Sequence, residues 1–236
     1  VRYYYAEHQA AYRRLARAGL MQWNDLHGEG WTFDDFPNRG FLESVLGRLP
    51  GGGDVLEYGC GTGPAACFLA ERGFRVDAID LIPEAIDLAR RFARERGVEV
   101  NFSVQDVCAL PPGSKRYDVI LDSYCLQSIV TDADRANLLR AVHDRLNGYY
   151  VLSTAMYDPQ RVYGDGFRYD ARTGICYQET PTPTADAVQL DGTWYLPHRR
   201  HLRPKALQAE LQQAGFQLLT HHAGNVLATR RAGGLP

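Results

Sequence analysis

The chain has 236 residues, 45% hydrophobic and 23% charged, with a formal net charge of -2. That length supports one sizeable core and about one to two domains, the pattern along the chain favouring a single domain over 1–236, and the near-neutral balance offers no bulk basic field for a nucleic-acid backbone. No run approaches the roughly 20 apolar residues of a membrane span, no signal-peptide pattern opens the chain, and five cysteines without a Cys-x-x-Cys pair argue against a metal site and for a reducing, cytoplasmic setting.

The first 48 residues begin with a helical stretch, Tyr5, Tyr12, Leu15 and Leu20 lying loosely on one side, and continue as an aromatic, glycine-rich loop carrying Trp23, His27 and Trp31. The loop 49–54 then leads into Val-Leu-Glu-Tyr-Gly-Cys-Gly-Thr-Gly at 55–63, a short buried strand ending in Glu57 and the alternating glycines Gly59, Gly61 and Gly63. Pro64 to Gly73 has helical spacing with a glycine stop. Strand, glycine turn and helix together form a seat where a flat polar ligand can lie against backbone. A dinucleotide turn reads Gly-x-Gly-x-x-Gly, but Pro64 occupies its third glycine position, and Glu57 would repel a pyrophosphate while suiting an ammonium or a sulfonium.

Phe74 to Asp80 is a second strand ending in an acid, and Pro83 opens the next helix. A carboxylate at that strand tip suits the two hydroxyls of a ribose, the alternative being a simple helix cap. Residues 100–106 form a third strand ending at Asp106, for which a surface turn is the alternative, and 117–122 a fourth, placing 122–127 at the open end of the sheet. A helix over 134–146, a strand over 148–154, a helix over 204–214 and two strands, 216–220 and 225–229, complete the pattern.

Glu-x-Gly-x-Gly-x-Gly at 57–63, with Asp80 and Asp106 following, resembles the first motifs of the class I S-adenosylmethionine-dependent methyltransferases; the likeness covers roughly 40–154 and 203–231. It implies an α/β, Rossmann-like three-layer sandwich: a seven-stranded, mostly parallel sheet with the last strand antiparallel, an N-terminal helical lid (1–48) and an insert after strand 5 (155–203) covering the active site. The implied cofactor is S-adenosyl-L-methionine, leaving as S-adenosyl-L-homocysteine. Its implied contacts are Glu57, Gly59, Gly61 and Gly63 at the turn, Asp80 and Leu81 at the ribose, Asp106 and Val107 at the adenine, with Ser123 and Trp23 beside them. Asn147-Gly148 stands where the family more often has a longer Lys-Pro-Gly-Gly turn. The run from Trp23 to Trp31 resembles the lid of thiopurine- and tellurite-type small-molecule methyltransferases, where rings near a sulfonium gain cation–π attraction; packing of the helix onto the sheet is the alternative.

The insert is rich in tyrosine and carries an Asp191-Gly192 hairpin turn. Tyr5, Trp31, Tyr124, Gln127, Tyr157, Trp194 and Arg199 are the candidate substrate wall, a structural flap or dimer contact being the other reading of the insert. The basic run 198–203 reads as a solvated turn or as a site for an anionic substrate group. Methyl transfer needs in-line geometry, plus a base only when the acceptor arrives protonated; His198 and His201 are the candidates, then His8 and His27. Asp122-Ser-Tyr-Cys replaces the Pro-Pro-Tyr signature of enzymes acting on DNA bases. The resemblance therefore implies methyl transfer to an N or O atom of a small molecule by a monomer or homodimer, with no membrane or DNA partner. The alternatives are a protein or RNA methyltransferase, a non-catalytic cofactor-binding protein and a nicotinamide-dependent oxidoreductase.

Overall fold

The computed structural model describes residues 2–28, 32–111, 113 and 115–231, with His27 placed by its backbone alone. In chain order it has α1 (Tyr5–Ala18), a 3-10 turn (Trp23–His27), α2 (Arg39–Val45), β1 (Asp54–Tyr58), α3 (Pro64–Ala70), β2 (Arg75–Asp80), α4 (Pro83–Arg96), β3 (Asn101–Val104) and β4 (Tyr117–Ser123). There follow α5 (Asp132–Arg145), β5 (Leu146–Ser153), β6 (Phe167–Asp170), β7 (Ile175–Glu179), β8 (Val188–Leu190), β9 (Thr193–Arg200), α6 (Pro204–Gln213), β10 (Phe216–His222) and β11 (Asn225–Arg230). Proline in the first turn starts α3, α4 and α6, where its missing N–H costs nothing.

The main sheet has the order β10-β11-β5-β4-β1-β2-β3. Only β11 runs against its neighbours; the other pairings are parallel. The chain leaves β1 toward β2 on one side and returns to β4 on the other, which opens a crevice beyond the carboxyl end of β1. The pleat sorts the core into two layers. Val55, Val76, Val119 and Leu121 pack against α3, α4, Leu15 of α1 and Leu42 of α2, while Leu56, Tyr58, Ile120 and Tyr150 pack against α5 and α6. The N-terminal segment is thereby part of the main core.

The insert forms a second, four-stranded antiparallel sheet in the order β6-β7-β9-β8. Its β8–β9 hairpin turns on Asp191 and Gly192, both at positive φ (49° and 83°), as a two-residue turn of matching twist requires.

Three local expectations are corrected. Asn147-Gly148 lies inside β5 rather than in a turn, because a side chain on Gly148 would sit 2.3 Å from the Asp118 carbonyl where β4 and β5 press together. His221 and His222 extend β10, leaving Ala223-Gly224 as the turn. The basic run is no solvated turn: acids on two helices neutralise it, Arg199 meeting Glu7 of α1 and Arg200 meeting Asp132 of α5. Among the described residues no helix is long and apolar enough to cross a membrane, and no His/Cys/Asp/Glu group has metal-binding geometry.

Candidate active site

A cavity of about 1230 Å³ lies at the carboxyl ends of β1, β2 and β4, covered by α1, the Trp23 turn, and β9 with the loop leading to β6. Its floor is the glycine turn. Gly59 and Gly61 adopt positive φ (61° and 56°), and a Cβ on Gly59 would fall 2.4 Å from Cys125 Sγ, on Gly61 2.8 Å from the Tyr12 hydroxyl. Backbone therefore approaches both the loop after β4 and the helix above as closely as only glycine allows. Gly63 (φ 82°) does not line the cavity; its missing side chain makes room for Phe102 and Ala89, so its task is packing α3 against α4 and β3.

Asp80 at the end of β2 is buried and faces the cavity. Its Oδ2 accepts from the Gly61 amide and Oδ1 from the Ile82 amide, each at 2.9 Å. Burial pushes its carboxyl up to about 6, the backbone donors pulling the other way. Each oxygen keeps acceptor capacity beyond that amide bond, which is what a pair of hydroxyls needs. Glu57 is wholly buried, with Oε2 unpartnered, and burial raises it to about 8 against hydrogen bonds from Ser123 and the Ala66 amide. A buried carboxylate lacking one partner is a costly group that a cationic ligand would satisfy. These features fit S-adenosylmethionine: an acid for its ammonium, an acid for its ribose, and a glycine floor for its length.

Asp122, at the end of β4, shapes the opposite wall. Its carboxylate accepts from the Tyr58 hydroxyl (2.6 Å), the Cys125 amide (2.6 Å) and the Leu126 amide (3.0 Å), and burial raises it to about 7. Tyr124, inside this turn, is held at φ 65° with its amide donating to the Ser153 carbonyl at 2.8 Å. A tyrosine in the left-handed region is a strained residue at a cavity wall. Ser123 lines the cavity and its Oγ accepts from Asn38 Nδ2 at 3.1 Å; Gln127 does too, its Oε1 accepting from the Ala155 amide at 2.9 Å.

Leu81, Val107, Trp23, His8, His198, Arg199 and His201 also face the cavity. Trp23 meets the rings of His8 and Tyr12 edge-on at 5.0 and 5.6 Å. Other expected residues lie elsewhere. Asp106 is turned away from the cavity: Arg2 Nε donates to it at 2.7 Å and the Cys108 amide at 2.9 Å, so it pins the N-terminus and caps a 3-10 turn. Tyr5 packs on the core from another face of α1, because helical spacing gives the cavity Tyr4, Glu7, His8 and Tyr12 instead. Tyr157 is stacked on Tyr169 at 5.3 Å under the Arg203 guanidinium. Trp194, 38% exposed, points out of the β8–β9 hairpin. Trp31 lies outside the described residues. Sequence reasoning missed Tyr4, Glu7, Tyr12 and Asn38; the helical period of α1 was the only signal for Glu7 and Tyr12, and Asn38 gave none.

A family model described as a methyltransferase domain matches residues 55–148. The ubiquinone biosynthesis O-methyltransferase of Xanthomonas axonopodis pv. citri is 32% identical over 192 residues, covering 75% of this chain and 68% of that protein. Among solved structures, an S-adenosylmethionine-dependent methyltransferase from Clostridium acetobutylicum superposes with a TM-score of 0.66 at 16% identity, over 94% of this chain and 99% of the other. The 1,6-didemethyltoxoflavin-N1-methyltransferase of Burkholderia thailandensis, with bound 1,6-didemethyltoxoflavin and S-adenosylhomocysteine, gives 0.61 at 22% identity, over 97% and 89%. With strand order, glycine floor and strand-end acids in agreement, the chain belongs to the class I S-adenosylmethionine-dependent methyltransferases.

Proposed function

We propose that the methyl acceptor is a small organic molecule, methylated on an N or O atom and held between α1, the Tyr124 turn and β9. When bound, S-adenosylmethionine supplies an electrophilic methyl group on sulfur. The chain's own residues do the rest by holding and shielding. Glu57 takes the ammonium group, Asp80 the ribose hydroxyls, and the Val107 amide the adenine edge. Trp23, Tyr12 and Tyr4 exclude water, and the Tyr124 turn aligns the acceptor for in-line attack.

The observation that carries this reading is the roofed but partly open cavity of about 1230 Å³, which joins the glycine floor to the insert's β9 in one space under α1. A protein or RNA acceptor would favour an extended charged groove, yet Arg199 and Arg200 at this rim are paired with Glu7 and Asp132. The O-methyltransferase named among the relatives favours oxygen over nitrogen as the atom methylated. The unpaired state of all five cysteines supports a reducing cytoplasm. The site residues and the single-domain arrangement belong to the same reading. Incubation with S-adenosylmethionine and a panel of phenols and amines, read by mass spectrometry, tests it: methylated product and S-adenosylhomocysteine in equal amounts are expected. Methyl transfer only when a protein or RNA is supplied would refute it.

A further inference from the structure

Among the described residues three histidines, His8, His198 and His201, line the cavity, and their surroundings differ. His8 is packed against the Tyr4 and Trp23 rings at 5.5 and 5.0 Å; burial and the nearby Arg199 lower it to about 4. The ring nitrogens of His201 face Arg161 Nη1 at 3.0 and 3.3 Å and Nδ1 faces the Tyr163 hydroxyl at 3.2 Å; burial, with the charges of Arg161 and Arg199, lowers it to about 4 as well. His198 is the one of the three with a carboxylate at its ring: Glu7 Oε2 stands 3.4 Å from Nδ1.

That carboxylate is fixed. Arg199 grips it with two nitrogens, Nη2 to Oε1 at 2.8 Å and Nη1 to Oε2 at 3.1 Å. Burial alone would raise Glu7, but His198 and Arg199 outweigh it and hold the group well below the usual carboxylate range. Arg199 Nη1 also stands 3.5 Å from Nδ1, but it is already spent on Glu7 Oε2 at 3.1 Å and the His198 carbonyl at 2.8 Å. The ionised carboxylate is then the stronger partner of Nδ1 and favours the tautomer with its proton there, leaving the other nitrogen as a proton acceptor. The Phe167 ring, 5.3 Å from His198, and Tyr124 provide flat walls in the same cavity. Arg161, which lines the cavity against the His201 ring, favours an acceptor that develops negative charge and disfavours one that arrives as an ammonium ion.

We propose that the acceptor is a phenol-type hydroxyl on an aromatic ring, that His198 takes its proton, and that Glu7 is the positioning residue that orients His198. This rests on the methyl-transfer reading above. The hydroxyl proton passes to the free ring nitrogen of His198 as an oxygen lone pair forms the new C–O bond. The electron pair of the C–S bond leaves with sulfur as a neutral thioether, and the imidazolium returns its proton to solvent.

Two acceptors separate this chemistry from a structural role: catechol, neutral at the assay pH, and 4-nitrocatechol, already ionised there. Affinity for S-adenosylmethionine in Glu7→Gln, His198→Gln and His198→Ala, measured by calorimetry, should match the parent. For catechol, kcat/KM should fall about 10²- to 10⁴-fold in the His198 variants and about 10- to 100-fold in Glu7→Gln. Turnover of 4-nitrocatechol should be nearly kept, and added imidazole should restore part of the catechol activity of His198→Ala. Equal losses on both acceptors, no loss on either, or a parent that binds the cofactor yet methylates neither phenol would overturn the proposal. A parent that does not bind S-adenosylmethionine would instead overturn the reading beneath it.

Discussion

The Gly61 amide donates to Asp80 Oδ2 at 2.9 Å, tying the glycine turn after β1 to the acid at the end of β2. The two motifs are thus one object: the carboxylate that faces the cavity also fixes the backbone it shares the cavity with. Replacing Asp80 with Ala should weaken S-adenosylmethionine binding by about 1–3 kcal/mol, since two amides and the ligand's hydroxyls lose their acceptor together. Calorimetric affinities of parent and variant measure this; equal values would remove Asp80 from the cofactor site.

Gly59→Ala tests the close approach on the other side of the floor. The new methyl group would meet Cys125 Sγ at 2.4 Å and Cβ at 2.5 Å, at a φ of 61° that L-residues resist. A loss of about 2–4 kcal/mol in urea denaturation is expected. Gly97→Ala, where φ is 66° but the space is open, should cost only the backbone term, about 1–2 kcal/mol.

Glu57 gives stability a pH dependence of definite sign. Its folded value is raised from 4.5 to about 8, so the folded chain holds a proton that the unfolded chain has released. The associated stability is complete below about pH 4.5 and is lost as pH rises through about 8. Free protein should therefore lose stability relative to Glu57→Gln across that window, by up to about 1.4 kcal/mol per pH unit. Denaturation of both proteins at a series of pH values reads the difference, from which other titrating groups cancel; a flat difference would show that Glu57 is ionised in the folded state.

Arg135 on α5 is 2% exposed and fastens the loop after β4. It donates to the Leu126 and Ile129 carbonyls at 2.8 Å each and makes two 2.6 Å bonds to Glu210 on α6. Arg135→Ala should cost about 3–5 kcal/mol because it leaves those partners and a carboxylate uncompensated. The companion Arg135→Lys, with one point charge for a fork, should recover only part of that loss.

The sheet and the cofactor floor were legible because their signals are local: short apolar runs in β1 and β4 that are buried on both faces, glycines at positive φ, and acids at strand ends. The cover was not. Glu7 meets Arg199 across 192 residues of sequence, and Asp106 is claimed by Arg2 across 104, so neither partner is visible from its own neighbourhood. Aromatic content marked the insert as unusual without saying which face each ring takes. Trp194 and Tyr157 turn out of the cavity, while Phe167 enters it through the pairing of β6 on β7.

Titration of the purified protein with S-adenosylmethionine and S-adenosylhomocysteine by calorimetry, with NADH as control, tests the central claim most directly. Saturable one-to-one binding of the first two and none of the third is the predicted result. Binding of NADH, or of neither methionine derivative, would contradict it.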